Sequence, residues 1–342
     1  MAPLLRSHFI KKDKMEYYKL NSLYIEVTHA CNQHCRHCYL DGGIHKKCAE
    51  MTTEQIKHIF AEFKAQGGSY VIFTGGEPLM RSDVFELLDC LEALKLRFTF
   101  ASNSLGMNKE RLEKLASYRC LEEYFTSILG STAEKHKAVC GKDSFEPALN
   151  AVSFFDKKGI QTFVQSTLCV DYIDDMEDIL KLFSGFENCS VKITPIASLG
   201  CKTETEKEEN KNLIVHSERF DDFHKKLNEL CEKYPFCVGD DNILNHEQIS
   251  EMISEYKENP LYSLCWHSVC VRPNGDLSFS YNMENPYIWG KAFDTIKIPM
   301  NDKFFGYIEM LKKADEYILE KSIQHEMEYD TERDKYLKSV FI

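Results

Sequence analysis

Closely spaced cysteines are the feature of this sequence that most directly suggests chemistry. Cys31, Cys35 and Cys38 are separated by three and two residues, with His34 and His37 between them. Structural zinc usually takes four ligands from two separated pairs; the partner pair is missing here, although either histidine could supply a fourth ligand. A [4Fe–4S] cluster is held by closely spaced cysteines. Three thiolates leave one iron with an open position, so the spacing favours an iron–sulfur cluster that binds a substrate or second cofactor.

The elements that would position these cysteines alternate between β-rich runs and segments of helical length. Strands are predicted at 23–27, 70–74, 97–102, 124–129, 161–169 and 191–196, and helices at 52–67, 82–94, 108–117, 144–159 and 175–184. This alternation predicts βαβ units and a parallel sheet, as a partial barrel or an open doubly wound sheet. Active groups should follow the C-terminal ends of strands. Cys31 lies four residues past the first predicted strand.

A second segment, Gly75-Gly76-Glu77-Pro78, follows the second predicted strand. Two glycines allow a backbone to approach a ligand closely, the glutamate adds a carboxylate acceptor, and the proline stiffens the turn. Taken alone, such a run is typical of a strand-to-helix turn. Its position one βα unit after the cysteines indicates that both segments belong to one site.

Together, the two segments resemble the signature of the radical S-adenosylmethionine (radical SAM) enzymes. "CNQHCRHCYL", with Tyr39 after the third cysteine, is similar to the family's cluster motif, and "FTGGEPLM" (73–80) is similar to the segment that holds the methionine amino group. The resemblance implies an α/β fold, a partial (β/α)6 TIM-like barrel with a smaller C-terminal lobe. It also implies a [4Fe–4S] cluster on the three cysteines and S-adenosylmethionine bound along residues 75–78.

The resemblance also implies a reaction and further site residues. In this family the reduced cluster gives one electron to S-adenosylmethionine, yielding methionine and a 5′-deoxyadenosyl radical that abstracts a substrate hydrogen. Asn103 and Ser127, near the ends of the third and fourth strands, match cofactor-contacting positions. His136 also matches, whereas Cys140 stands where many relatives have arginine. Asn103, Ser127 and Gln165 are equally compatible with strand-end residues that satisfy backbone groups.

The C-terminal third resembles the SPASM/Twitch branch of the family in a degenerate form. Cys265 is followed by Gly275 at the family's spacing, but Ser280 replaces the second cysteine and no cysteine follows Cys270. The pattern therefore excludes two standard auxiliary clusters. Two alternatives stay open: a single Twitch-like cluster in which Cys265 and Cys270 recruit other cysteines, or burial of both thiols as apolar residues. The candidates for recruitment are Cys201, Cys231 and Cys237.

The chain is predicted to divide into four regions. These are an N-terminal extension (1–22), the barrel core (23–197), a linker with a helical segment (198–262) and the degenerate C-terminal region (263–342). Within them, 201–212 is predicted to be a charged surface loop and 270–282 a hairpin. From residue 301 the sequence is helical and charged.

Composition excludes several classes of protein. The net charge of −12 and the pI of about 5.5 argue against a nucleic-acid partner and against binding to an anionic membrane. The sequence has no run of about twenty apolar residues and no apolar signal region near its start. Fourteen cysteines without a secretion signal indicate a reducing compartment, and we expect a cytoplasmic protein.

The SPASM/Twitch resemblance points first to modification of a ribosomally made peptide or a protein, with flavodoxin or ferredoxin as electron donor. One alternative is a radical SAM enzyme for a small molecule, such as a tetrapyrrole, a nucleotide or an antibiotic precursor. Another is a non-catalytic iron–sulfur protein, against which the intact segment 75–78 argues. Because about two dozen residues precede the first strand, leader-peptide recognition is expected to be internal or on a partner.

Overall fold

The computed structural model describes residues 10–12, 15–38, 49–196, 204–215, 219–239, 243–244, 246–258, 269–279, 288–323, 327–328, 333, 335–336 and 339. The strands are β1 (Ile10–Lys12), β2 (Met15–Tyr18), β3 (Ser22–Glu26), β4 (Tyr70–Thr74), β5 (Arg97–Ala101), β6 (Leu121–Ser127), β7 (Gln161–Leu168), β8 (Cys189–Pro195), β9 (Cys237–Val238), β10 (Ile243–Leu244), β11 (Val269–Val271), β12 (Asp276–Ser278), β13 (Gly290–Lys291), β14 (Ile298–Pro299) and β15 (Met327–Glu328). The predicted residues Tyr39, Cys201, Cys265 and Ser280 lie outside these ranges.

Most helices lie between consecutive strands in the chain. They are α1 (Thr53–Ala65), α2 (Val84–Ala93), α3 (Lys109–Ala116), α4 (Ala133–Cys140), α5 (Phe145–Lys157), α6 (Met176–Phe183), α7 (Glu204–Asn210), α8 (Phe220–Lys233), α9 (His246–Glu258) and α10 (Asp302–Lys321). Short 3₁₀ helices cover Pro78–Met80, Val170–Asp175 and Lys211–Leu213. None of the helices in the described ranges combines the length and apolar character that a membrane span requires.

A ten-stranded sheet forms the centre of the fold, in the order β13-β12-β11-β3-β4-β5-β6-β7-β8-β9. Every pair from β11 and β3 through to β9 is parallel. The last two strands at the other end, β12 and β13, are antiparallel. The predicted α/β class with a parallel sheet is therefore confirmed, and the carboxyl ends of β3 to β8 meet at one edge.

The parallel strands alternate between buried and half-buried residues. In β7 the side chains of Thr162, Val164 and Leu168 are buried, whereas Phe163 and Gln165 are half-buried. The buried face packs against the helices in two apolar clusters, one around β3–β5 and the other around β7 and β8. The opposite face, which points away from the helices, is called the inner face below.

Two local predictions from the sequence fail in the segments between strands. Within the predicted loop 201–212, the described residues are helical, since α7 covers Glu204–Asn210 and a 3₁₀ turn follows. The charged sequence of α7 has no apolar stripe, which is the signal that predicts helices. Helix α4 was not predicted; Thr132 caps its start by accepting from the Lys135 N–H, and Gly141 ends it at φ +75°. Only His136, Val139 and Cys140 of α4 are buried, so its apolar pattern is weak.

The C-terminal region joins the core sheet directly. Its strand β11 pairs in parallel with β3, so that Cys270 lies beside Tyr24. A hairpin forms between β11 and β12 within the predicted range 270–282, with Gly275 in its turn at φ +84°. The N-terminal strand β2 pairs with β14. The four predicted regions thus interlock through strand pairing, and their boundaries stay predictions.

Candidate active site

The three cysteines lie on the loop that follows β3, at the edge where the parallel strands end. Each of their side chains is half-buried. The N–H of Cys38 donates to the Cys35 carbonyl at 3.1 Å, and the N–H of Gln33 points at the Cys31 sulfur at 3.4 Å. Within the described ranges no three His, Cys, Asp or Glu side chains are already grouped as a metal-ligand set. The loop therefore carries all three thiols, but their sulfur atoms are not arranged as a set of metal ligands.

The glycine-rich segment after β4 lies directly against this loop. The N–H of Gly76 donates to the Thr28 carbonyl at 2.7 Å, and the N–H of Glu77 donates to the Ala30 carbonyl at 2.8 Å. A Cβ atom on Gly76 would lie 2.5 Å from the Ala30 oxygen and 2.7 Å from the His29 oxygen. Gly76 is thus required by the approach of two protein backbones, and its predicted approach to a ligand stays a prediction.

Glu77 connects the loop after β4 to the loop after β5. Its carboxylate is fully buried and accepts from the Leu79 N–H at 3.1 Å, the Ser102 hydroxyl at 3.0 Å and the Asn103 N–H at 2.7 Å. Burial raises the pKa of Glu77 to about 7, against the opposing effect of these three donors. Pro78 begins the 3₁₀ turn that follows and is buried. Glu77 therefore fixes the relative position of two site loops, and its contact with a cofactor stays a prediction.

Asn103 continues this connection back to the cysteines. Its side-chain amide donates to the Asn32 oxygen at 2.7 Å and points at the Cys31 sulfur at 3.7 Å. Its own side-chain oxygen accepts from the Leu105 N–H at 3.0 Å. The structure thus brings the predicted residues Cys31, Glu77 and Asn103 together at the ends of three adjacent strands.

A comparison with known families decides what this arrangement belongs to. Residues 25–183 match the family described as the Radical SAM superfamily, a range that contains the cysteine loop and both connected loops. The chain carries a radical SAM domain.

Curated relatives match about half of this chain. AdoMet-dependent heme synthase of Oleidesulfovibrio alaskensis is 30% identical over 161 residues, which is 46% of this chain and 40% of that protein. Mycofactocin maturase MftC of Mycolicibacterium smegmatis is 30% identical over 176 residues, 51% of this chain and 44% of that protein. The match thus spans less than half the length of each relative.

Solved structures share the fold over most of the chain. Streptococcus suis SuiB bound to S-adenosylmethionine has a TM-score of 0.62 at 14% identity, covering 81% of this chain and 62% of SuiB. Native anSMEcpe with bound AdoMet has a TM-score of 0.63 at 15% identity, covering 84% of this chain and 83% of that one. Both support the partial-barrel architecture that the sequence resemblance implies.

A [4Fe–4S] cluster and S-adenosylmethionine are the cofactors of a radical SAM domain, and the thiols of this chain fit the cluster. Burial raises the pKa of Cys31 to about 11, so without a cation this thiol stays protonated at neutral pH. Iron supplies the positive charge that deprotonates a coordinating thiol. Thiolates are also the soft ligands that iron–sulfur clusters take. Cys31, Cys35 and Cys38 are the residues that would hold the cluster.

On β6, β7 and β8 the inner face of the sheet carries both aromatic and polar side chains. Phe125 and Phe163 stack on it with ring centroids 5.6 Å apart and an interplanar angle of 13°. Two residues further along these strands, Ser127, Gln165 and Lys192 lie side by side on the same face. All five side chains are half-buried. Ser127 is thus placed on the inner face near the strand ends, and its predicted cofactor contact stays a prediction.

His136 is buried, and both of its ring nitrogens contact protein atoms. Its Nδ1 accepts from the Leu129 N–H at 3.1 Å, and its Nε2 lies 2.8 Å from the Ser144 hydroxyl. Burial lowers the pKa of His136 to about 4, so the ring is neutral near pH 7. Cys140 is buried and its thiol donates to the Lys142 carbonyl at 2.8 Å.

Residues that hold the cysteine loop in place were missed from the sequence. Glu50 accepts from the Thr28 hydroxyl at 2.8 Å and from the His29 N–H at 2.7 Å. Arg81 donates to the Val27 carbonyl at 2.9 Å and also pairs with Asp83 at 2.6 Å. Arg81 lies three residues after Pro78 of the glycine-rich segment, and this proximity was the available signal. Glu50 has none, because its partners lie more than twenty residues away.

Of the cysteines considered for a second cluster, the structure describes Cys231, Cys237 and Cys270, and these three are not gathered together. Cys270 is fully buried, 3.9 Å from Glu26, which pairs with Arg272 at 3.0 Å. Cys231 and Cys237 lie against each other with sulfurs 3.2 Å apart, at the β9 end of the sheet. Six strands separate β9 from β11 in the sheet order. The described residues therefore favour the burial alternative for Cys270.

Proposed function

We propose that this chain is a radical SAM enzyme that abstracts a hydrogen atom from a peptide or protein substrate. The observation that carries the proposal is the cysteine loop, held against the segment 75–78 by backbone bonds from Gly76 and Glu77 and against β5 by Asn103. Three thiols and a closely packed glycine-rich segment at one strand edge are what the paired cofactors require.

The roles of the chain's own residues follow from their positions. Cys31, Cys35 and Cys38 hold the cluster, while residues 75–78 and Asn103 position S-adenosylmethionine beside it. When bound, these groups supply a one-electron reduction of the sulfonium and, from it, a hydrogen-atom acceptor. Ser127 lies on the inner face, where it would meet the cofactor or the substrate. The electron comes from a small redox protein such as flavodoxin or ferredoxin.

A peptide is the favoured substrate class because proteins similar to this chain include a peptide maturase and enzymes solved with bound peptides. Mycofactocin maturase is among its relatives, and SuiB bound to precursor peptide SuiA has the same fold at a TM-score of 0.62. The anSMEcpe structure with bound AdoMet and a Cp18Cys peptide also shares the fold, with a TM-score of 0.61.

A small-molecule substrate is the second candidate. The observation that favours it is the 30% identity to AdoMet-dependent heme synthase, equal to that of the maturase over a similar length. The two identities are equal and each match covers about half of this chain, so identity alone does not choose between the two substrate classes.

The activity is tested with anaerobically reconstituted, dithionite-reduced protein and S-adenosylmethionine. We expect release of 5′-deoxyadenosine and methionine, measured by liquid chromatography. The control is a variant with Cys31, Cys35 and Cys38 replaced by Ala, which should release neither. Wild-type protein that binds its cluster yet releases no 5′-deoxyadenosine with any reductant would contradict the proposal.

The substrate class is tested by deuterium transfer. The loaded enzyme is incubated with a low-mass extract from cells of the source organism grown in deuterated medium, and 5′-deoxyadenosine is analysed by mass spectrometry. We expect deuterium incorporation that disappears when the extract is first digested with a broad-specificity protease. Incorporation that survives digestion would instead support the small-molecule candidate.

A further inference from the structure

Gln33 is a buried polar residue inside the cysteine loop. Its side chain is 4% exposed, although it lies between half-buried Asn32 and exposed His34. A polar side chain that is buried in this way must find hydrogen-bond partners, or its burial is costly. The partners of Gln33 therefore indicate what the side chain does.

Gln33 contacts the sulfur atoms of two of the predicted cluster ligands. Its backbone N–H points at the Cys31 sulfur at 3.4 Å, and its side-chain amide lies 3.5 Å from the Cys35 sulfur. The other end of the same amide lies 2.5 Å from the Ser144 hydroxyl, which belongs to a segment 111 residues further along the chain. One residue thus links both thiols to the start of α5.

The far end of this chain of contacts is fixed by His136. Because Nδ1 of His136 accepts the Leu129 N–H, its proton must be on Nε2, which therefore donates to the Ser144 oxygen at 2.8 Å. The Ser144 oxygen is then an acceptor, and its own proton is available for another partner. Ser144 and His136 are each 1% exposed, so water does not compete.

The protonation state of Cys35 decides which way the Gln33 amide points. A thiol donates, so in the metal-free loop the Cys35 S–H faces the Gln33 side-chain oxygen. A thiolate bound to iron has no proton and only accepts. The nitrogen and oxygen of an amide have nearly the same shape, and their assignment follows the hydrogen-bond network. With the amide turned over, the nitrogen donates to Cys35, the oxygen accepts from Ser144, and Ser144 accepts from His136.

We infer that Gln33 is a positioning residue that donates an N–H···S hydrogen bond to the Cys35 thiolate of the loaded cluster, oriented by Ser144 and His136. This inference rests on the proposed function, because it needs the cluster on Cys35. Hydrogen bonds to cluster sulfurs set the reduction potential of an iron–sulfur centre. A donor stabilises the more negatively charged reduced state, so Gln33 makes the cluster easier to reduce.

The test is the midpoint potential of the cluster, measured by redox titration with electron paramagnetic resonance and without S-adenosylmethionine. Gln33→Leu removes the donor, and we expect a shift to a more negative potential. Gln33→Glu keeps the side-chain volume but cannot donate as a carboxylate, and should shift in the same direction. Ser144→Ala removes only the orienting contact and should give a smaller shift. His34→Ala, an exposed neighbour in the same loop, is the matched control and should give none.

A second readout detects the hydrogen bond itself. In electron–nuclear double resonance of the reduced cluster, an exchangeable proton coupling that is lost in D₂O should be present in wild type and absent in Gln33→Leu. If Gln33→Leu takes up no iron, Gln33→Glu carries the comparison. Variants that contain the cluster and keep the wild-type potential and the wild-type proton coupling would overturn this inference but leave the proposed function intact. A wild-type protein that forms no [4Fe–4S] cluster would overturn the proposed function as well.

Discussion

The carboxyl ends of β3 to β5 and the inner face of β6 to β8 use their polar groups in different ways. At β3 to β5 the polar groups bond to each other: Glu77 to Ser102 and Asn103, and Asn103 to Asn32. At β6 to β8 the inward side chains are half-buried and contact each other across strands, as in the Phe125–Phe163 stack and the bond from Gln165 to Thr194.

This difference teaches how one sheet can serve two kinds of ligand. A cofactor site works best when its loops are held in position before the cofactor binds, and hydrogen bonds between the loops hold them there. A substrate needs a surface of apolar and polar groups that it can cover, and Phe125, Phe163 and Gln165 offer one. We therefore propose that the first region serves the cofactors and the second the substrate.

The largest effect on this comparison is expected from Gly76→Ala. The added Cβ would meet the Ala30 oxygen at 2.5 Å, so the segment 75–78 must move away from the cysteine loop. Overpacking of this kind costs about 1–3 kcal/mol, equivalent to about 5- to 150-fold if it appears wholly in the rate. We expect slower 5′-deoxyadenosine release and weaker S-adenosylmethionine binding, measured by chromatography and by calorimetry.

The matched control for Gly76→Ala is Gly185→Ala, where an added Cβ meets no atom within 4 Å. It should keep the wild-type rate. Equal rates for the two variants would mean that the contact between the loops is not needed for cofactor binding.

A smaller effect is expected from Glu77→Gln. All of its protein partners at this site are donors, so the new amide group would face at least one N–H or O–H. Leaving a buried group unpaired costs about 1–3 kcal/mol. We expect a lower free energy of unfolding in urea. Glu62→Gln is the control, since Glu62 also accepts from a hydroxyl and a backbone N–H but is half-exposed.

Glu77 also predicts a pH dependence with a definite sign. Its pKa is raised by burial from 4.5 to about 7, with the Arg111 charge acting in the opposite direction. Between these values the folded state binds more protons than the unfolded state, so this group lowers stability as pH rises from 4.5 to 7. The difference in unfolding free energy between wild type and Glu77→Gln should shrink over that range. A difference independent of pH would contradict the burial argument.

The smallest effect is expected on the inner face. Phe125→Leu and Phe163→Leu each break the stacked pair, which is worth about 0.5–1.5 kcal/mol, or about two- to tenfold in KM for the substrate. Iron content should stay at the wild-type value. Phe154→Leu, on α5 and partly buried in the outer core, is the control for lost packing and should leave KM unchanged. A changed iron content in Phe125→Leu would show that the two regions are not separate.

Much of the fold was predictable because the parallel strands and most helices carry strong local signals. Strand β4 was predicted at its observed bounds, and α1 lies within the predicted helix 52–67, where Thr52 caps its start through reciprocal bonds with Gln55. The failures share one cause. Helices α4 and α7 lack an apolar stripe, and their ends are set by capping or by distant partners, such as Arg36 with Asn210 at 2.7 Å.

The residues of the site that lie within recognisable sequence motifs could be predicted. The sequence predicted that Cys31, Glu77 and Asn103 belong to one site, and the structure brings them together. It also gives Glu77 three protein donors that the sequence did not predict, while the contact of Glu77 with a cofactor stays a prediction. Gln33 was missed because its partner Ser144 is 111 residues away and nothing local announces the contact. Motifs indicate which residues form a site, whereas hydrogen bonds between distant segments decide what each residue does there.

The central claim is that Cys31, Cys35 and Cys38 alone hold the catalytic cluster, and iron analysis tests it most directly. Iron and sulfide are quantified on anaerobically purified wild type and on the variant with all three residues changed to Ala. A control variant removes three half-buried thiols elsewhere, Cys90, Cys120 and Cys231. We predict about four irons per chain in wild type and control and none in the first variant. Zinc in place of iron, or iron retained without the three cysteines, would contradict the account.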